Sequence, residues 1–203
     1  MEEKDVYKEL SSIRDLMERS TKFISLSGLS GVLAGIYALM GARFGFRAME
    51  NLEGLDPNRP DVKDAVVFLT LIALAVFILS FVTCYWLSMR KAKKRGENVW
   101  NPVSRRLLGA VAVPMITGGL FIAVLLLQQQ YFAIASACLV FYGLALVVAS
   151  QYTFNEVKWL GFGEILLGLL ALNNPGYSVI FWAIGFGILH IIYGTFMHFK
   201  YER

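Results

Sequence analysis

Residues 157–199 read VKWLGFGEILLGLLALNNPGYSVIFWAIGFGILHIIYGTFMHF, and this stretch decides the fold. It consists of two apolar runs separated by the turn-forming residues Asn173, Asn174, Pro175 and Gly176. As a helix, each run is close to the length needed to cross the roughly 30 Å hydrocarbon core of a bilayer. Proline and glycine between such runs mark a tight connection. The stretch therefore predicts a helical hairpin in a membrane.

The rest of the chain is also strongly apolar. Its 203 residues are 57% hydrophobic and only 17% charged, and the mean hydropathy is +0.57. The apolar runs are continuous rather than alternating, so they predict helices and exclude a closed barrel. We predict an all-α polytopic membrane protein in which residues 23–203 form one domain of six transmembrane helices, at 23–42, 65–89, 107–127, 131–151, 157–172 and 178–199.

The positions of the lysines and arginines predict the orientation. Six alternating spans place the N-terminal segment, the loop at 90–106 and the C-terminus on one side, together with most of the basic residues. Because cytoplasmic loops carry the excess of lysine and arginine, we expect both termini to be cytoplasmic in a multi-pass protein of the cytoplasmic (inner) membrane. The basic residues of the loop are expected to contact lipid headgroups or another anion; they are Arg90, Lys91, Lys93, Lys94, Arg95, Arg105 and Arg106.

This topology also accounts for the net charge of +4. Anionic lipid headgroups attract basic residues next to membrane spans. The predicted partner of these residues is therefore the lipid bilayer, and no nucleic-acid partner is expected, because no nucleic-acid-binding fold fits between the spans.

Residues 1–22 form a separate segment before the first span. Their apolar side chains recur at three- and four-residue steps, which is typical of an amphipathic helix; they are Val6, Leu10, Ile13 and Met17. We interpret the segment as a cytoplasmic amphipathic helix that either lies on the membrane surface or docks onto a cytoplasmic protein partner.

Small residues mark the expected helix contacts. Ser27, Gly31 and Gly35 follow one another at four-residue spacing in the first span, and Gly168 lies in the fifth. Small residues on one face let neighbouring helices approach closely, which stabilises helix association inside lipid. Glycine faces that remain unused within the six helices would pair between chains, so a homo-oligomer is also expected.

Glu164 and His190 are the candidates for an ion or proton site. A carboxyl group near mid-membrane is costly to ionise without partners and is a functional candidate by default. Its structural alternative is a neutral acid bonded to a backbone carbonyl. The helical rise places His190 roughly 8 Å nearer the cytoplasm than Glu164. A direct bond between them is therefore not expected unless the helices are tilted or a water bridges the two groups, and Arg105 or Arg106 is an alternative partner of the acid.

The sequence contains no other pattern that indicates catalysis or metal binding. The sequence contains no Ser-His-Asp set, zinc motif or phosphate loop. Its two cysteines, Cys84 and Cys138, fall within predicted spans, where packing is the expected role. We therefore expect neither an enzyme nor a bound metal or other cofactor.

The predicted spans also pair into three hairpins with weak internal similarity, and in this alignment Glu164 falls where the other hairpins have Gly31 and Gly119. Residues 166–194 resemble the repeat of the HdeD-like acid-resistance membrane protein family. The residues that carry this resemblance are Gly168, Asn174, Pro175, Gly176, Gly185 and Gly194. The resemblance implies six spans and a stress-linked role, and it supplies no catalytic residue.

Two functions are compatible with these features. The first is a structural, stress-response or regulatory membrane protein that acts through helix packing. The second is a small transporter or channel that uses Glu164 as a proton or cation site. A water-filled cavity reaching Glu164 would favour transport, whereas a dry helix contact would favour the first function.

Overall fold

The computed structural model describes residues 27–49, 59–94, 96 and 100–201. Within these ranges the chain is almost entirely helical and has no strand. Six helices follow one another: α1 Gly28–Met49, α2 Pro60–Lys94, α3 Pro102–Leu127, α4 Tyr131–Ala149, α5 Glu156–Asn173 and α6 Pro175–Tyr201. Helices α4 and α6 each begin with a single 3-10 turn.

The all-helical membrane class is confirmed. Five of these helices are long and apolar enough to cross a membrane, and α5 is the sixth helix. At 18 residues, α5 would be about 27 Å long, but it contains three charged residues, Glu156, Lys158 and Glu164. The predicted amphipathic helix at 1–22 lies outside the described residues, and the cytoplasmic position of the termini stays a prediction.

The helix boundaries lie within three residues of the predicted ones in α4, α5 and α6. Helix α1 ends at Met49 rather than at 42, and α3 begins at Pro102 rather than at 107. Helix α2 is longer than predicted at both ends. This helix has 35 residues and extends five residues beyond each end of the predicted span at 65–89. The extensions carry charged side chains, among them Asp61, Lys63, Lys93 and Lys94, all of them exposed. The apolar run thus predicted the part of α2 that can lie in lipid, while the helix itself continues into the polar regions on both sides.

Local polar contacts fix the connections between helices. Asn101 and Ser104 form a reciprocal capping box at the start of α3, with Pro102 in the first turn. The connection from α3 to α4 contains Gln129, whose φ is +58°. Between α5 and α6, the Asn174 side chain donates a hydrogen bond to the carbonyl of Leu170 at 2.9 Å, which satisfies a carbonyl at the end of α5.

The helices do not pack only with their sequence neighbours. The most extensive contacts are between α4 and α5 and between α1 and α6, followed by α3 with α4 and α1 with α2. Helix α6 is central, because it packs against α1 on one side and against α4 and α5 on the other. Helices α2 and α3 lie at the two edges of the bundle.

The small residues singled out in the sequence lie at these contacts. Gly31 and Gly35 face α6, where a Cβ at position 31 would lie 3.1 Å from the Cα of Gly194. Gly168 faces α4, and its carbonyl accepts a hydrogen bond from the Ser136 hydroxyl at 2.6 Å. Ser27 precedes α1, and its carbonyl accepts hydrogen bonds from Ser30.

Two adjacent glycines of α3 provide a direct test of the packing. A Cβ at position 118 would lie 2.5 Å from the Cβ of Phe141 on α4, whereas a Cβ at position 119 would have no neighbour within 4 Å. We expect Gly118→Ala to lower the free energy of unfolding by about 1–3 kcal/mol through overpacking. Gly119→Ala should be neutral or slightly stabilising, because alanine has the better helix propensity. Denaturant-induced unfolding in micelles measures both, and equal losses would contradict this arrangement of α3 and α4.

Candidate functional site: a buried acid, histidine and tyrosine

Glu164 lies at the middle of α5 and is completely buried, with 0% of its surface exposed. His190 on α6 is also buried, at 6% exposure. The closest atoms of the two side chains are Glu164 Oε1 and His190 Nδ1, which are 3.3 Å apart. The carboxyl group therefore meets a protein side chain inside the bundle rather than lipid.

The imidazole ring of His190 is held at both nitrogens. Its Nδ1 lies 3.0 Å from the carbonyl oxygen of Gly185 on its own helix. Its Nε2 lies 2.8 Å from the hydroxyl of Tyr142 on α4. Tyr142, Glu164 and His190 thus join α4, α5 and α6, and we refer to these three residues as the Glu164 cluster.

The sequence-based expectation placed the two groups farther apart than they are, since their nearest atoms lie 3.3 Å apart, although no hydrogen bond joins them. That expectation compared positions along the helix axes only. Each Cα–Cβ bond is tilted toward the N-terminus of its helix, and α5 and α6 are antiparallel. The side chain of Glu164 therefore leans away from the α5–α6 turn while that of His190 leans toward it, so the two converge. The alternative partners Arg105 and Arg106 are exposed in the first turn of α3.

A π-helical segment, Ala183–Leu189, contributes to this convergence. Such segments place more residues in each turn and recur at functional sites. Gly185 lies inside the segment, and a Cβ at this position would lie 2.5 Å from Glu164 Oε2 and 2.6 Å from Leu139 Cδ2. The absence of a side chain at Gly185 therefore lets the carboxyl group rest against the backbone of α6.

The hydrogen-bonding capacity of Glu164 is incompletely used. Within the part of the chain that the structure describes, neither carboxyl oxygen has a hydrogen-bond partner of good geometry. The 3.3 Å approach of His190 Nδ1 is thus an electrostatic contact, because the same nitrogen points at the Gly185 carbonyl. That carbonyl can only accept, so the arrangement requires a proton on Nδ1.

The surroundings of the cluster differ on its two sides. Toward the α5–α6 turn, Phe186 stacks on His190 with ring centroids 6.0 Å apart, and Trp182 follows Phe186 at 5.2 Å. In the opposite direction, Tyr193 lies one turn beyond His190, and its hydroxyl is buried with no hydrogen-bond partner among the described residues. Sequence reasoning did not single out Tyr193, although its position three residues after His190 on the same helix was an available signal.

A second group of polar contacts lies at the end of α6. Glu156, the first residue of α5, accepts hydrogen bonds from Lys200 and from the hydroxyl of Tyr201, the latter at 2.9 Å. Gly28 at the start of α1 approaches His198 near the end of α6, so this group lies on the same side of the bundle as the start of α1.

For the basic residues between α2 and α3, contact with lipid headgroups or another anion stays a prediction. Arg90 lies over the ring of Trp86, 5.8 Å from its centroid, and Lys91 is half-buried. Lys93, Lys94, Arg105 and Arg106 are exposed, and Arg95 lies outside the described residues.

Cys84 and Cys138 are half-buried and form no disulfide. Across residues 27–49, 59–94, 96 and 100–201, no group of three or more histidine, cysteine or acidic side chains is arranged to hold a metal ion.

Comparison with known proteins identified no related protein. Neither protein-family models, nor curated proteins, nor solved structures gave a match to this chain. The resemblance to the HdeD-like family therefore stays a prediction.

Proposed function

We propose that this chain is a multi-pass membrane protein with a structural or regulatory role, in which the protonation of the Glu164 cluster controls the packing of α4, α5 and α6. The observation that carries the proposal is the complete burial of Glu164 against His190. A buried helix contact of this kind favours a role in packing over a role in moving solutes. The stress-linked role that the family resemblance implies belongs to the same proposal.

The proposal follows from counting charges in the buried pair. A protonated acid beside a neutral histidine and a carboxylate beside an imidazolium contain the same number of protons, and both have no net charge. One additional proton leaves a net positive charge in the bundle, and one fewer leaves a net negative charge. Isolated charges in a dry interior are costly. The helices should therefore pack most tightly over an intermediate pH range and loosen outside it.

Trp182 provides a reporter close to the pair, because its ring makes a tilted contact with Phe186, which stacks on His190. The other tryptophans, Trp86, Trp100 and Trp159, can be replaced by phenylalanine. We expect the fluorescence of the remaining Trp182 to change reversibly with pH in liposomes. The change should vanish in a Glu164→Gln/His190→Gln variant, which has no titrating pair. It should persist in Glu156→Gln, the matched control on the same helix. A change that survives the double substitution would contradict the proposal.

Transport is the second candidate, and the unsatisfied oxygens of Glu164 favour it because they could accept an incoming proton or cation. Wild type and Glu164→Gln can be compared for proton and cation flux in liposomes. If the chain has only a role in packing, the wild-type protein and Glu164→Gln should show the same flux, no larger than the passive leak of the liposomes. Flux that Glu164→Gln abolishes would instead establish the transport function.

A further inference from the structure

We infer that the outward face of α1 binds an anionic phospholipid, with an acyl chain along Ile36 and Met40 and the phosphate group on Arg43 and Arg47. This site is separate from the Glu164 cluster, to which α1 contributes no residue, so it does not depend on the proposed function. A groove, its two arginines and their depth in the membrane support it.

A shallow apolar groove runs along one face of α1. Its volume is about 390 Å³, and it is lined by Ile36, Leu39, Met40, Arg43 and Phe44. Positions 36, 40, 43, 44 and 47 recur at three- and four-residue steps, so they share one face of the helix. Met40 and Phe44 are 59% and 50% exposed. The groove is therefore open to the bilayer along its length.

The other faces of α1 are occupied by neighbouring helices. Gly31 and Gly35 face α6, and Gly41 faces the side chains of Ile72 and Val76 on α2. A symmetric contact with a second copy would use the same face of α1 twice, and it would bring four guanidinium groups together without an acid on that face. An anionic lipid instead supplies both the apolar chain and the negative charge that the face lacks.

Arg43 and Arg47 give one end of the groove its charge. Both side chains are exposed, and they lie one turn apart. Neither takes part in an ion pair with any residue that the structure describes, whereas Arg59, which precedes α2, pairs with Asp61 at 2.9 Å. Guanidinium groups bind phosphate through pairs of parallel hydrogen bonds. Two such groups beside an apolar groove therefore match the headgroup end of a phospholipid.

The depth of the arginines fits this assignment. Gly45, between Arg43 and Arg47, faces Leu69 of α2 and Val179 in the second turn of α6. Leu69 is five residues, or about 7.5 Å, from Asp64 and the polar end of α2. Arginines at this depth extend their side chains to the membrane surface, where lipid phosphates lie. Ile36 lies about 10 Å deeper than Arg43 along α1, at the level of the acyl chains.

The test uses a tryptophan in the groove as the reporter. The four native tryptophans are replaced by phenylalanine, and Phe44→Trp then supplies the fluorophore. The chain is placed in phosphatidylcholine liposomes that contain a small share of brominated lipid, which quenches tryptophan on contact. We expect brominated phosphatidylglycerol to occupy the groove roughly fivefold to 30-fold more strongly than brominated phosphatidylcholine, since each arginine near the surface contributes about a factor of five.

Phe121→Trp in the same background is the matched control. Phe121 is 48% exposed on α3 and lies about 22 Å along the helix from Arg106, the nearest basic residue of α3. Quenching at this position should not distinguish the two brominated lipids. Equal preference for phosphatidylglycerol at both positions, or none at Phe44→Trp, would overturn the inference.

Two double substitutions separate the arginines of the groove from charge in general. Arg43→Gln/Arg47→Gln should abolish the preference at Phe44→Trp, whereas Arg105→Gln/Arg106→Gln removes the same charge from α3 and should leave it unchanged. A preference that survives the first substitution would overturn the inference. Should that variant prove unfolded by circular dichroism, Arg43→Gln alone should lower the preference about fivefold, and no change there would be equally decisive. Glycerol phosphate added to the liposomes should not relieve the quenching; relief would mean that the ligand is a soluble anion and not a lipid.

Discussion

Replacing His190 by leucine is expected to lower the free energy of unfolding by about 1–3 kcal/mol, the usual cost of leaving a buried polar group without its partner. The loss arises because Glu164 is completely buried and would keep its carboxyl group without the imidazole that faces it at 3.3 Å. The hydroxyl of Tyr142 would lose its partner as well. Denaturant-induced unfolding in micelles measures the change.

A double substitution separates the pair from its individual members. Glu164→Leu/His190→Leu replaces both polar groups with apolar ones, and such replacements of buried pairs are often neutral or stabilising. We expect the double variant to be more stable than His190→Leu alone, with an interaction energy that a double-mutant cycle reports. A double variant that is less stable than the single one would show that the two side chains do not act as a pair.

The sequence was sufficient to predict the helices but not how they pair. Uninterrupted apolar runs and the turns at Gln128–Gln130 and Asn173–Gly176 determine where helices begin and end, because lipid leaves the backbone few alternatives. The spacing of Gly31 and Gly35 likewise predicted a close contact face on α1. It could not identify α6 as the partner, because the match between two glycine faces depends on the positions of both helices.

The candidate site was likewise predictable only in part. Glu164 was recognisable from the sequence as an acid in an apolar run. Its complete burial in the structure supports its choice as a candidate site residue. Its contact with His190 was not predictable from helical rise, because side-chain tilt and the π-helical segment Ala183–Leu189 bring the two residues together. Tyr142 was recognisable only as a possible hydrogen-bonding residue of the fourth span, since the connection between it and His190 crosses from α4 to α6.

The contact between α1 and α6 leads to the second large effect. A Cβ at position 194 would lie 2.5 Å from the backbone nitrogen of Val32, 2.6 Å from the carbonyl oxygen of Gly28 and 2.9 Å from the carbonyl carbon of Gly31. All three atoms belong to the backbone of α1, so no side chain can rotate to make room. The two helices would have to move apart, and the close contact that stabilises them in lipid would be lost.

We therefore expect Gly194→Ala to lower the free energy of unfolding by about 1–3 kcal/mol, and a larger side chain at this position to cost more. Gly109→Ala is the matched control, because a Cβ at position 109 on α3 would have no neighbour within 4 Å. Unfolding of both variants in the same micelles gives the comparison. If Gly194→Ala is as stable as Gly109→Ala, then α1 does not contact α6 at this glycine, and the central position of α6 in the bundle would have to be abandoned. If it is less stable, the same helix that carries His190 on one face is held in place by α1 on the other.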